Sequence, residues 1–334
     1  MAELAPVIAA AGVANTSSPE ARLKPGLQSW RPITLATDSV PLYNHGMDPR
    51  PIGLFDSGVG GLTIWRATKK LLPQESLVFL ADSGHVPYGE KSPAELHDLT
   101  ERIVRVLLDQ DVKLVVVACN TATVHALGHL RETFPELPFV GVVPVVKTLA
   151  RRTRTNAIAI LSTPATAESP YLAGLVEEFA HDKRVINVGC DGLEDLVEAG
   201  QARSARTTAL LERYLAPVRR SGADVVGLGC THYPFLRSRI KRILGPGVRV
   251  YDPSRPVARR VRKLLTERDA LAEHSKPSYR FFTTGDAEQF GDVASKLLRF
   301  PVRDVEHVEL VATSVKRSAA PRRAGERPRR GHAA

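Results

Sequence analysis

KLVVVACNTATVHAL, residues 113–127, decides how the chain folds. Its apolar run has the length of a strand and is rich in β-branched residues, with no polar residue alternating through it. That is the pattern of a strand covered on both faces of a sheet. The run delivers a small polar cluster, Cys119-Asn120-Thr121, and a helix-patterned stretch then carries the chain away. A second stretch, DVVGLGCTHYPFL at 224–236, repeats the design. It ends in Cys230-Thr231-His232 and continues with helical spacing at Leu236, Ile240, Ile243 and Leu244 until Gly245-Pro246-Gly247 stops it. Two thiols 111 positions apart therefore stand in matched settings.

Further runs of the same kind lie on either side: IGLFD (52–56), SLVFLAD (76–82), FVGVV (139–143), AIAILS (157–162), RVINVG (184–189) and VRVYD (248–252). Between them Leu62, Trp65 and Lys69 start one helical face, and Ile103, Val106 and Leu107 another. Strands alternating with helices of this length read as βα units wound into parallel sheets, an α/β fold. In such sheets functional residues collect beyond the carboxyl ends of the strands. Here those ends read Asp56-Ser57, Asp82-Ser83, Cys119-Asn120-Thr121, Ser162-Thr163, Cys190, Cys230-Thr231-His232 and Asp252.

A thiol at a strand-to-helix junction feels the free N–H groups and positive dipole end of the helix, which favour the thiolate. Cys119 and Cys230 are expected to be brought toward neutrality in this way. Facing one cavity they could be a nucleophile pair, a redox pair or an acid/base pair; a single buried cysteine is more simply a small core hydrophobe. Cys190 lacks the flanking polar cluster and is read as core.

With 334 residues, the chain suits two compact domains or two lobes of one fold. Three cysteines with no Cys-x-x-Cys argue against a disulfide framework and against a zinc site, so a reducing compartment, the cytoplasm, is expected. No apolar run approaches the ~20 residues of a membrane span. MAELAPVIAAAGVANTSS has an apolar stretch, but Glu3 precedes it and no basic segment does, unlike a secretion signal. Residues 1–46 read as a disordered extension, or translation begins at Met47. The net charge is +10, of which the stretch from Lys316 to Ala334 carries +6. Residues 315–334 read as a solvated, disordered basic tail, with a nucleic-acid or acidic-partner arm as the alternative.

DSGVGG (56–61) follows the first strand and opens a helix. Its N–H groups could face a phosphate or carboxylate, or the glycines could simply make a tight turn. It is neither a P-loop nor a complete dinucleotide fingerprint. ADSGHVPYGEKS (81–92) is a loop by composition, and Tyr88 within it either meets a ligand or packs locally. No lysine sits at a strand end in the cluster, which argues against a pyridoxal-phosphate site.

These pieces together resemble glutamate racemase, a cofactor-independent amino-acid racemase family. The resemblance rests on FDSGVGGL (55–62), PYGEKS (87–92), ACNTAT (118–123), GVVP (141–144), ILSTPAT (160–166), LVEAG (196–200) and LGCTHYPFL (228–236), spanning roughly residues 50–300. It implies two similar three-layer α/β lobes with largely parallel sheets and an active site in the cleft between them. The first lobe would comprise 48–143 plus 252–312 and the second 144–251, with the crossing near Pro144.

By the same resemblance Cys119 and Cys230 would be acid/base groups on opposite faces of the substrate Cα, Asp56 and His232 would assist them, and Glu198 would be a further acidic residue near the second thiol. Asp56, Ser57, Tyr88, Gly89, Asn120, Thr121, Thr231 and His232 match the segments that hold glutamate. No cofactor and no metal are implied; D-glutamate for peptidoglycan would be the product, and a homodimer or monomer–dimer equilibrium the assembly. The chain departs from the usual pattern at Ala165, commonly glycine, and at Pro253, where serine or threonine usually follows the aspartate. The alternatives left open are an aspartate or hydantoin racemase, a DNA- or gyrase-binding protein with secondary racemase activity, and a thiol–disulfide oxidoreductase.

Overall fold

A computed structural model describes residues 48–142, 145–273 and 276–311. The expected extension 1–46, the tail 315–334 and the crossing at Pro144 lie outside the described residues.

The eight strands read from the sequence form: β1 (Ile52–Asp56), β2 (Leu77–Ala81), β3 (Leu114–Val117), β4 (Phe139–Gly141), β5 (Ala157–Ser162), β6 (Arg184–Gly189), β7 (Val225–Leu228) and β8 (Arg249–Tyr251). Two more were not expected, β9 (Tyr279–Thr283) and β10 (Glu306–His307). The aromatic run YRFFT of β9 carries a strand signal, whereas β10 has two residues and no pattern to read. The α-helices are α1 (Leu62–Leu71), α2 (Pro93–Leu108), α3 (Asn120–Thr133), α4 (Val146–Arg152), α5 (Pro164–Ala167), α6 (Pro170–Ala180), α7 (Leu193–Glu198), α8 (Ala205–Ser221), α9 (Arg237–Leu244), α10 (Ser254–Glu267) and α11 (Ala287–Leu298). Local chemistry sets their ends: Ser92 and Glu95 close a reciprocal capping box on α2 with Pro93 in its first turn, worth about 1 kcal/mol.

The strands form two wholly parallel sheets, one ordered β10-β9-β2-β1-β3-β4 and the other β6-β5-β7-β8. Beneath the extra strands the two orders are the same. In each sheet the first strand pairs with the second on one side and the third on the other, so each has a switch point between first and third strands. At such a point the crevice beyond the carboxyl ends opens. Cys119 follows β3 and Cys230 follows β7, so the duplicated motif seen in the sequence is a duplicated place in the topology.

Strands β1, β2, β3, β5 and β7 are buried along their whole lengths, which explains their uninterrupted apolar runs. The C-terminal segment completes the first sheet: β9 pairs with β2, and Trp65 of α1 packs against Tyr279, Phe281 and Phe300 at centroid distances of 5.3–5.7 Å. At the opposite end of β3 from the thiol, Lys113 and Glu75 form an ion pair of 2.7 Å that is almost completely buried.

Candidate active site

A cavity of about 730 Å³ lies beyond the carboxyl ends of both sheets and is lined from both. From the first come Ser57, Tyr88, Gly89, Cys119, Asn120 and Thr121; from the second come Thr163, Glu194, Glu198, Cys230, Thr231 and His232. The fold therefore brings both thiols, 5% and 6% exposed, to one space. Both are free thiols, as is the buried Cys190.

Cys119 is the N-cap of α3, and its Sγ lies 3.9 Å from Ser57 Oγ. Asp56 sits behind it, fully buried. It is not among the cavity's lining residues: Oδ2 accepts from Gly61 N at 2.5 Å and from Thr231 Oγ1 at 3.2 Å. Burial, and then the Asp56 carboxylate, push the Cys119 thiol up, against the N–H of Ala122 and the Ser57 hydroxyl, which favour the thiolate. The helix N-terminus acts as expected on this group but loses to desolvation and a like charge, so the thiol is not brought toward neutrality.

Cys230 is differently supported. It is followed by a 3₁₀ turn, Tyr233–Leu236, before α9 begins at Arg237, so the expected helix N-terminus does not reach it directly. Its Sγ lies 3.5 Å from His232 Nδ1, and His232 Nε2 lies 2.6 Å from Glu198 Oε1 at the end of α7. Burial pushes the Cys230 thiol up and His232 offsets part of that rise. Burial pulls His232 down, but Cys230 and Glu198 outweigh it and raise the imidazole well above its ordinary value. The imidazole is thus held between Cys230 and Glu198, both of which favour its protonated form.

The glycine-rich turn joins the two halves. The anions held by its N–H groups are the protein's own carboxylates: Gly61 N donates to Asp56, and Val59 N donates to Glu198 Oε1 at 2.8 Å. A Cβ at Gly60 would lie 2.5 Å from Thr231 Oγ1 and 2.7 Å from His232 Nδ1; one at Gly58 would lie 2.6 Å from Glu198 Cδ. These glycines are needed for close approach of the second lobe's side chains.

Asn120 is buried with neither its amide nitrogen nor its oxygen partnered, and it lines the cavity. An orphaned buried amide is costly unless a ligand satisfies it. Tyr88 is 3% exposed, not a surface residue. Its hydroxyl donates to Asp82 Oδ2 at 2.6 Å, and burial and then Asp82 raise the phenol well above its ordinary range, so it stays a donor. Asp82, identified in the sequence only as a strand end, is a hub: it also meets His85 Nδ1 at 2.6 Å and accepts from Thr284 Oγ1 at 2.7 Å.

Of the other strand-end residues, Asp252 pairs with Arg237 and is not among the lining residues, and Cys190 packs in the core. Sequence reading missed Glu194 of α7 and Asp286, Gln289 and Phe290 at the start of α11, all of which line the cavity. The acidic run DGLEDLVEAG marks the first; nothing local marks the others, because they arrive with β9.

The Asp/Glu/Hydantoin racemase family model matches residues 63–261. The chain is 43% identical over 248 residues to the glutamate racemase of Herpetosiphon aurantiacus, covering 74% of this chain and 97% of that one. It is 42% identical to that of Ectopseudomonas mendocina, covering 74% and 94%. Among solved structures it is similar to glutamate racemase RacE1 of Bacillus anthracis (TM-score 0.70, 32% identity, 80% of this chain and 99% of that chain). It is also similar to the Escherichia coli enzyme in complex with L-glutamate and the activator UDP-MurNAc-ala (TM-score 0.70, 34% identity, 78% and 98%). With two parallel-sheet lobes and relatives 42–43% identical that are matched over nearly their full lengths, the chain belongs to the glutamate racemase family.

Proposed function

We propose that the protein interconverts L- and D-glutamate by two-base proton transfer at Cα, without a cofactor, using Cys119 and Cys230. The observation that carries this reading is two buried thiols on one cavity, each with its own polar support: Asp56 behind Cys119, and His232 with Glu198 behind Cys230. Inverting a stereocentre requires removal of the Cα proton from one face and delivery of another to the opposite face. Two opposed groups do this without either crossing the molecular plane. In one direction the Cys230 thiolate takes the proton and becomes a thiol, while the Cys119 thiol gives its proton and becomes the thiolate; the reverse reaction exchanges these roles. By the family resemblance Cys230 serves the L-substrate and Cys119 the D-substrate.

The two supports divide the work. The imidazolium of His232 stabilises a thiolate at Cys230, whereas the Asp56 carboxylate favours a protonated Cys119. An entering ammonium group brings the positive charge that Cys119 needs to ionise, so the thiol is activated when substrate is present. Proton transfer by positioned groups supplies about 10²–10⁴-fold, and donors to the substrate carboxylate supply more. Asn120, Thr121, Ser57 and Thr231 are suitable donors for that purpose.

The product would supply D-glutamate for peptidoglycan. Division into a discontinuous first lobe, 48–143 with 252–312, and a second lobe, 144–251, is part of the same proposal. A racemisation assay on glutamate and aspartate separately, followed by circular dichroism, tests it: inversion of glutamate is expected, and inversion of aspartate alone would replace glutamate as the substrate.

A further inference from the structure

The chain's positive charge is concentrated in one part of the fold. Residues 237–268 carry eleven Lys or Arg against two acidic residues, a local net charge of +9. Helix α10 lies in this stretch. Its buried side, Val257, Ala258, Val261 and Leu265, packs on α1. Its outer side carries Arg255, Arg259, Arg262 and Lys263, all exposed and falling on one face at helical spacing. Glu267, the single acidic residue of the helix, is shared by Arg260 at 3.9 Å and Lys263 at 3.5 Å. Arg255, Arg259 and Arg262 have no carboxylate partner among the described residues. Arg131 of α3 adds a further cation within electrostatic range of Arg260. Like charges three and four positions apart on a helix repel, so the face is organised for an anion from outside the chain.

We propose that the outer face of α10 docks on the phosphate backbone of a nucleic-acid duplex, without reading its sequence. Charge complementarity names the class of partner, and the side-chain types narrow it. The ridge is mostly arginine, whose planar fork matches phosphate oxygens in pairs. It carries no exposed aromatic residue on which unpaired bases could stack. Nor does it carry an exposed large apolar residue to enter a lipid interface: the exposed large hydrophobics among the described residues are Val86, Leu108 and Val311, all elsewhere in the chain. A duplex backbone needs none of these.

The test uses the full chain and a fluorescently labelled 24-base-pair duplex of arbitrary sequence, with anisotropy read between 50 and 200 mM salt. Binding is expected, indifferent to sequence and weakening steeply with salt. The quadruple variant Arg255→Glu, Arg259→Glu, Arg262→Glu and Lys263→Glu is expected to bind at least tenfold more weakly. Its salt slope should be flatter by roughly 3 to 4, about 0.9 for each phosphate that is no longer neutralised. A triple variant, Arg255→Lys, Arg259→Lys and Arg262→Lys, should retain most of the binding, and matching circular-dichroism spectra and melting temperatures establish that the folds are intact. Removing residues 316–334 should leave salt-dependent binding in place. The inference is overturned if the glutamate variant binds like the original, if truncation alone abolishes binding, or if the chain binds vesicles of anionic phospholipid but no duplex.

Discussion

His232 Nε2 and Glu198 Oε1 lie 2.6 Å apart, and the same carboxylate oxygen accepts from Val59 N across the cleft at 2.8 Å. One carboxylate thus orients the imidazole behind Cys230 and ties the second lobe to the glycine-rich turn of the first. Glu198→Gln keeps the shape but removes the charge that helps hold His232 as imidazolium. The variant should lose about 10–100-fold in turnover, the range seen when metal-bound histidines lose an orienting carboxylate. The basic limb of its pH–rate profile should shift to lower pH as the His232 pKa falls and the imidazolium is lost earlier. An unchanged profile would separate Glu198 from the proton relay.

Asp56→Asn removes the negative charge that adds to burial in holding the Cys119 thiol up. The thiol pKa should fall, although burial keeps it above that of a free cysteine. Alkylation of Cys119 by iodoacetamide at pH 8, followed by mass spectrometry of the labelled peptide, should become faster than in the original protein while racemisation slows. Slower alkylation would show that Asp56 draws the proton away from the thiol and does not oppose its ionisation.

Gly58→Ala places a methyl group against the Glu198 carboxylate, and Gly60→Ala places one against Thr231 and His232. Both substitutions should sharply reduce activity with little change in melting temperature, because the clash is in the cleft and not in the sheet. Near-normal turnover in both would mean that the cleft is wider in solution.

Lys113 has a site of its own, paired with Glu75 and donating to the carbonyls of Asp48 and Ala270 at 2.6 and 2.8 Å. Lys113→Met leaves the Glu75 charge buried without its partner and should cost about 3–5 kcal/mol, read from urea unfolding. The double variant Glu75→Met with Lys113→Met should recover part of that loss. Equal stabilities of the two variants would mean that the pair is not coupled.

The βα units were legible because β1, β3, β5 and β7 are buried on both faces and so appear as unbroken apolar runs. The cysteine pair was legible because both sheets share one strand order and place Cys119 and Cys230 at the same point in it. The C-terminal strand β9 was overlooked although YRFFT carries a strand signal, and with it went the wall formed by Asp286, Gln289 and Phe290. The hydrogen bonds of Glu198 with His232 and Val59 join residues 34 and 139 positions apart, and no local pattern encodes such distances. The sequence points the ionisation of the thiols in the wrong direction, because a helix N-terminus is visible in it whereas burial and the proximity of Asp56 to Cys119 are not.

The central claim is that Cys119 and Cys230 act as a pair on opposite faces of Cα. Its most direct test is proton exchange in D₂O with each glutamate enantiomer, followed by NMR, for the original protein and for Cys119→Ser and Cys230→Ser. Both variants should lose racemisation by at least about 10²-fold, and each should impair Cα exchange from a different enantiomer. Near-normal racemisation by either variant, or identical exchange behaviour of the two, would contradict a two-thiol mechanism.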